Sequence, residues 1–185
     1  MPAPEISFAL LSGKQAAAHA DELQALQAEV YRDPPYQCDA DADGFGRRLA
    51  VASRQPGFAL AEARHGGYLV GYASGMPLRP STSWWRQLTT PLPAEVTAEH
   101  PGRTFAVAEL AVRASWRRQG IGRALHDLIL AGRPEERATV TILPAAAAAQ
   151  RAFGSWGWRR VARTQAGPGS AVCDLLLSTL PASPP

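Results

Sequence analysis

Residues 110–125 read LAVRASWRRQGIGRAL, and this stretch decides the fold. It places the end of a short apolar strand, an arginine-rich turn with two glycines, and the start of a helix in that order. A glycine turn that opens a helix aims backbone N–H groups outward at the positive end of the helix dipole, which suits a pyrophosphate. Gly120 and Gly122 leave no Cβ between backbone and ligand, and Arg117, Arg118 and Arg123 surround the turn with permanent charge. The ligand implied is a phosphorylated cofactor.

Two phosphate-binding loops fail against the letters. A Walker-type loop needs Gly-Lys followed by Ser or Thr, and the only lysine of the chain is Lys14. A dinucleotide fingerprint needs a small residue three positions after its second glycine, where this chain has Leu125. It also needs an acidic residue about twenty positions further on in a suitable strand, and none stands there.

The pattern that remains, Arg117-x-x-Gly120-x-Gly122 after the strand Ala108-Glu109-Leu110-Ala111-Val112, resembles motif A of the GNAT N-acetyltransferase superfamily. The resemblance continues in an apolar strand at 138–143 and in a helix ending Phe153-Gly154-Ser155-Trp156-Gly157-Trp158, and it covers about residues 57–163. It implies an α/β fold with a mixed sheet whose two central strands, 104–112 and 138–143, splay apart. It implies further that Arg117, Arg118, Gln119, Gly120, Ile121, Gly122 and Arg123 hold the pyrophosphate of acetyl-coenzyme A. Leu110, Ala111 and Val112 would then offer backbone groups to its pantetheine arm.

Composition agrees with one globular domain. Hydrophobic residues make up 46% and charged residues 19% of the 185, which is enough for a real core and too apolar for a disordered chain. Within it we expect an acceptor-side segment at 1–56, the core with the cofactor site at 57–163, a terminal hairpin at 164–181 and a frayed tail at 182–185. The net charge of +3 does not point to nucleic acid, because the arginines concentrate at 113–123 and 159–163 and form no long stripe. A polyanionic cofactor accounts for the first cluster and a solvated strand face for the second. Cys38 and Cys173 lack metal or disulfide-framework spacing and the four histidines are scattered, so no metal is expected; His126 reads as an exposed helix position. MPAPEIS shows no leader pattern and no apolar run is long enough for a membrane span, so the expected location is the cytoplasm, away from membranes. The bias toward arginine, alanine and proline suggests a bacterial source.

Periodicity predicts a strand at 5–10, then one helix from a Ser12 cap to about Tyr31 with Leu23, Leu26 and Val30 as its apolar stripe. Asp33-Pro34-Pro35-Tyr36 ends that helix, and a second covers 43–54. Strands at 58–64 and 68–76 flank His65-Gly66-Gly67, whose glycines can take the positive φ angles of a tight hairpin. Residues 77–103, with prolines, threonines and the pair Trp84-Trp85, form a loop long enough to carry function. A strand over Thr104–Val112, a helix at 121–131, a strand at 138–143, a helix at 145–156 and hairpin strands at 158–164 and 171–177 follow.

Acetyl transfer to an amine, the reaction the resemblance implies, sets four demands. The donor must be held, the amine must lose a proton, the oxyanion must be stabilised and the departing thiolate must gain a proton. An alkylammonium has a pKa of about 10.4, so about one molecule in a thousand is free base at neutral pH. Glu109 is the candidate base, since alternation puts it on the strand face opposite Leu110 and Val112, where it can act through a water. The alternative is a charged strand residue paired with an arginine.

Many GNAT enzymes place a proton-donating tyrosine four residues before the glycine of the Gly-aromatic end. Counting back from Gly157 gives Phe153, which can pack against pantetheine but donates no proton. That departure leaves open a slower or differently organised transferase and an acyl-CoA-binding regulatory protein without turnover. Another acyl-CoA, or a protein N-terminus as acceptor, also stays open. Tyr31, Tyr36, Trp84 and Trp85 fall where GNAT folds line the acceptor groove, either as walls for a small-molecule amine or as staples for their loops. A polycationic acceptor needs several carboxylates, for which the chain offers Glu95 and Glu99 with Asp39, Asp41 and Asp43, unless the aspartates cap a helix. Exposed aromatics and the terminal hairpin would suit a homodimer.

Overall fold

The structure is a computed structural model that describes residues 5–36 and 42–181. The tail at 182–185, Cys38, Asp39 and Asp41 lie outside the described residues. Strands and helices succeed each other as β1 (Ile6–Ser12), α1 (Gly13–Ala18), α2 (Ala20–Val30), α3 (Ala42–Ala52), β2 (Ala59–His65), β3 (Tyr68–Pro77), α4 (Ala94–Thr97), β4 (Thr104–Val112), α5 (Ile121–Leu130), β5 (Arg137–Ile142), α6 (Ala147–Ser155), β6 (Arg159–Gln165) and β7 (Val172–Thr179). The chain forms two compact units, residues 1–76 with 107–131 and residues 77–106 with 132–185. The seven strands make one mixed sheet in the order β1-β2-β3-β4-β5-β7-β6.

In the first unit β1 pairs antiparallel with β2, and β2 with β3 across a hairpin whose Gly66 and Gly67 have φ of 57° and 85°. Those angles are cheap only for glycine, as the sequence predicted. Helix α5 lies on β1 and β2, and α2 packs on α3. Leu23, Leu26, Leu60, Leu69 and Tyr72 form the centre of this unit's core. Burying each such side chain contributes about 1.5–3 kcal/mol.

The single helix expected from Ser12 to Tyr31 is two helices. Ser12 opens the first as predicted, its N–H and hydroxyl each 2.9 Å from Gln15 Oε1. At His19 the backbone leaves helical geometry (φ −103°, ψ 16°), and the His19 N–H bonds Ala16 O at 3.1 Å. His19 Nδ1 lies 3.3 Å from the Glu62 carboxylate on β2, so a tertiary polar contact competes with the helix propensity of the alanines around it.

In the second unit the start of β4 pairs in parallel with β5, Thr104–Ala106 on Arg137–Thr139. β7 inserts between β5 and β6, antiparallel to both. Helix α6 closes with Gly157 at φ 88°, the Trp158 N–H returning to Phe153 O at 3.1 Å and the Gly157 N–H to Gly154 O at 3.2 Å. That double closure satisfies the last carbonyls and accounts for the Gly-aromatic end of the helix.

The loop at 77–103 contains a 3₁₀ turn, Trp84–Gln87, and the single turn α4. A buried network anchors it. Glu99 Oε1 accepts from Trp85 Nε1 (3.0 Å), Thr104 Oγ1 (2.7 Å) and Arg137 Nη2 (3.0 Å), and the Arg137 guanidinium lies over the Trp85 ring. Among the described residues no helix is long and apolar enough to cross a membrane, and no group of three or more His, Cys, Asp or Glu side chains could hold a metal.

Candidate active site

Strand β4 sets the position of the candidate base. Glu109 stands two residues before Ala111, so alternation puts both on one face, and Ala111 packs in the same core as Tyr72. Glu109 is half-buried, and the Tyr31 hydroxyl at the end of α2 donates to its Oε2 at 2.7 Å. The Tyr31 ring lies 5.1 Å from that of Tyr36. Burial pushes the Tyr36 phenol above the ordinary tyrosine value, and the positive charge of Arg117 partly pulls it back. Contacts therefore run within the first unit from Glu109 through Tyr31 to Tyr36, and the charge of Arg117 acts on Tyr36. The sequence singled out Glu109, Tyr31 and Tyr36, and the structure brings these three together.

Arg117 belongs to the glycine turn, where its Nε donates to Val112 O at 2.9 Å. Arg118 and Gly120 both have positive φ, 64° and 80°, and Gly120 is the N-cap of α5 without a side-chain cap of its own. The turn thus combines the positive end of a ten-residue helix with the exposed guanidiniums of Arg117, Arg118 and Arg123. Arg123 shares its charge with Asp127 at 2.7 Å. A Cβ added at Gly122 would meet only Leu110 and Val112 at ordinary distances of 3.8 and 3.9 Å, and one added at Gly120 would meet nothing within 4 Å. The protein's own packing leaves both glycines open on the ligand side, so the turn fits a pyrophosphate.

Two sequence expectations need correction here. Arg113 does not join the cofactor cluster: its Nε donates to Leu69 O at 2.8 Å, it pairs with Glu29, and its guanidinium covers the Tyr68 ring. His126 is buried at 7% exposure rather than exposed, with Nδ1 2.8 Å from Asp127. The apolar stripe of α5 is wider than its leucines alone indicated.

Trp84, Trp85 and Phe153 belong to the second unit. Trp85 is 9% exposed and packs with Leu78, Ala106 and Leu175, and Trp84 lies against the same cluster. Trp85 and Arg86 border an open groove of about 410 Å³. Phe153 is buried between Trp156 and Trp158, ring centroids 5.0 and 5.2 Å away. Glu99, counted among the carboxylates open to a cation, is enclosed in the network with Arg137.

Sequence reasoning missed Tyr72. Its side chain is fully buried, T-shaped against Phe45, and its hydroxyl has no hydrogen-bond partner among the described residues. An unsatisfied buried hydroxyl costs about 1–3 kcal/mol. Burial, and then the charges of Glu109 and Tyr31, hold this phenol well above the ordinary tyrosine value, with Arg48 acting in the other direction. In an alternating strand Tyr72 reads as one more core aromatic, and nothing local in the sequence separates it from a phenylalanine.

A model of the acetyltransferase (GNAT) family matches residues 19–158. No curated protein matches the chain. Among solved structures, the ribosomal-protein-S18-alanine N-acetyltransferase of Escherichia coli is similar, with 11% identity, a TM-score of 0.64 and 97% of each chain covered. The PaiA N-acetyltransferase of Thermoplasma acidophilum in complex with coenzyme A has 9% identity and a TM-score of 0.61, covering 95% of this chain and 99% of that one. Aminoglycoside 6′-acetyltransferase type Ii has 14% identity and a TM-score of 0.66, covering 96% and 99%. With the family match over three quarters of its length and the glycine turn opening α5, this chain belongs to the GNAT acetyltransferase family.

Proposed function

We propose that the protein transfers an acetyl group from acetyl-coenzyme A to the primary amine of a small molecule by direct attack, with Glu109 as base. The observation that carries this reading is the pair of contacts from Glu109 through Tyr31 to Tyr36 in the same unit as the glycine turn, whose Arg117 acts electrostatically on Tyr36. Two structural neighbours are named for an aminoglycoside and for the alanine of ribosomal protein S18, both amine acceptors.

The backbone N–H groups of Ile121, Gly122 and Arg123, with the guanidiniums of Arg117, Arg118 and Arg123, would hold the pyrophosphate. Backbone groups at Leu110, Ala111 and Val112 would lie along the pantetheine arm. When bound, acetyl-coenzyme A supplies the thioester carbonyl and a thiolate leaving group. Glu109 removes the ammonium proton that otherwise leaves about one amine in a thousand reactive at neutral pH. Tyr31 fixes the carboxylate through Oε2. The Tyr31–Tyr36 wall favours an amine on a flat or apolar body. A polycation fits less well, since Glu29 on the last turn of α2 is already paired with Arg113.

Calorimetric titration of acetyl-coenzyme A and of coenzyme A is the direct test. Micromolar binding of both, followed by thiol release with an amine, supports the assignment; binding of neither overturns it. Phe153 sustains a second reading, an acyl-CoA-binding regulatory protein without turnover, because its buried ring offers no acid. Binding without thiol release across a broad panel of amines would select that reading.

A further inference from the structure

Strand β3 is irregular where it meets the end of β4. It pairs Leu69 with Arg64 and Gly71 with Ala63 of β2, which leaves Val70 as an extra residue, a β-bulge. The carbonyls of Leu69 and Val70 both serve Arg113, the residue that follows β4: its N–H donates to Val70 O at 2.9 Å and its Nε to Leu69 O at 2.8 Å. The buried guanidinium is held further by Glu29 and by the Tyr68 ring.

Gly71, next along β3, lies against the same strand end. A Cβ built there would stand 3.0 Å from Ala111 O, 3.1 Å from Leu125 Cδ1 of α5 and 3.2 Å from Val112 Cγ2. Contacts that short force a neighbour to give by a few tenths of an ångström, and the nearest atom here is backbone. Val112 Cγ2 is also the atom 3.9 Å from a Cβ built at Gly122 of the turn. Gly71 is not among the glycines with positive φ, so backbone conformation does not call for it. Glycine weakens a strand interior, and its use here matches a close approach of another backbone. Ala111 O and the Arg113 N–H both face β3, and alternation turns the backbone groups of Leu110 and Val112 to the opposite edge.

Resting on the place proposed above for the pantetheine arm, we propose that Gly71 and Arg113 are positioning residues for the donor. Together they seat the end of β4 against β3 and α5, and so fix the strand edge offered to the arm and the turn that follows it. Gly71 sets how closely the strand approaches, and Arg113 sets where along β3 it is tied. Both act through the strand.

The test measures coenzyme A affinity by calorimetry, and thermal melting, on the full chain as wild type, Gly71→Ala, Arg113→Lys and Leu49→Ala. Leu49 is buried on α3, and its truncation is the control for lost stability alone: a lower melting temperature with wild-type affinity. For Gly71→Ala the expected affinity is about tenfold weaker at a temperature where the chain is folded, on a scale where a misplacement of about 1 Å can cost about 100-fold. Arg113→Lys keeps a cation for Glu29 but loses the Nε bond to Leu69 O, and should weaken binding about threefold. A purely structural role would lower melting temperatures and leave affinity alone. A crystal structure of Gly71→Ala should show Ala111 O displaced from β3. Wild-type affinity in Gly71→Ala, an unmoved Ala111 O, or an equal loss of affinity in Leu49→Ala overturns the inference. If Gly71→Ala alone weakens binding, the role of Arg113 falls. Should Gly71→Ala fail to fold, Arg113→Lys decides: weaker binding sustains the inference and unchanged binding overturns it. A wild-type chain that binds no coenzyme A is the failure of the parent reading, and the positioning role falls with it.

Discussion

Glu99 and Glu109 are the same side chain put to opposite uses. Glu99 is sealed in the second unit, and one of its oxygens collects an indole N–H, a hydroxyl and a guanidinium. Glu109 is half open and meets a phenol that orients it without enclosing it. The first arrangement spends a carboxylate on holding a long loop in place, and the second leaves one half open, as the base proposed above requires. What separates the structural carboxylate from the proposed base is access and the kind of donor, since residue type is identical.

The largest effect expected of this contrast is in stability. Arg137→Ala leaves the Glu99 carboxylate buried without its cation, a loss of about 3–5 kcal/mol. For a chain of this size that lowers the melting temperature by on the order of 10 °C in a thermal scan. A scan within a degree or two of wild type would remove the distinction. Next comes Glu109→Gln, expected to lower kcat about 100-fold or more while the melting temperature stays put. Thiol release and thermal scans on one preparation check both halves. Gly122→Ala should leave folding unchanged, because its new methyl meets only ordinary contacts inside the protein, yet weaken acetyl-coenzyme A about tenfold, or about 1.4 kcal/mol. Calorimetry reads this directly, and unchanged affinity would move the donor away from the turn.

The smallest effect is a pH dependence that belongs to the fold and not to the base. Burial lowers the His126 imidazole below its ordinary value, with Asp127 opposing. A lowered native value means the unfolded chain binds the proton more readily. Stability is therefore fully present above the unfolded value of about 6.5 and drains away as pH falls toward the native one. Melting temperatures measured from pH 8 to 5 should fall in wild type and in Glu109→Gln alike, and fall less in His126→Gln.

The turn proposed to hold the donor was legible in the sequence because it is local. Turn, strand end and helix start lie within sixteen consecutive letters at 110–125, and their chemistry depends on backbone and on glycines that spacing reveals. Hairpin and helix closures were legible for the same reason, Gly66-Gly67 and Gly157 marking positions only glycine fills cheaply. The surroundings of the proposed base depend on contacts between distant residues. Tyr31 meets Glu109 across 78 positions, and no periodicity announces such a bond. The break at His19 escaped detection because alanine-rich propensity says nothing of Glu62 on a strand 43 residues away. His126 and Arg113 were misread because charged and titratable residues are taken as exposed until a partner is seen, and theirs come from tertiary neighbours or an adjacent aspartate.

Arg118 holds φ at 64°, the one non-glycine residue with positive φ among those described. A side chain in that region costs about 1 kcal/mol that a glycine would spare. Design for thermostability would therefore choose Arg118→Gly first, trading an exposed charge for a relaxed backbone. The chain keeps the arginine, so under the proposed function position 118 is a lever by which foldedness and affinity for a polyanion would be traded against each other through a single codon.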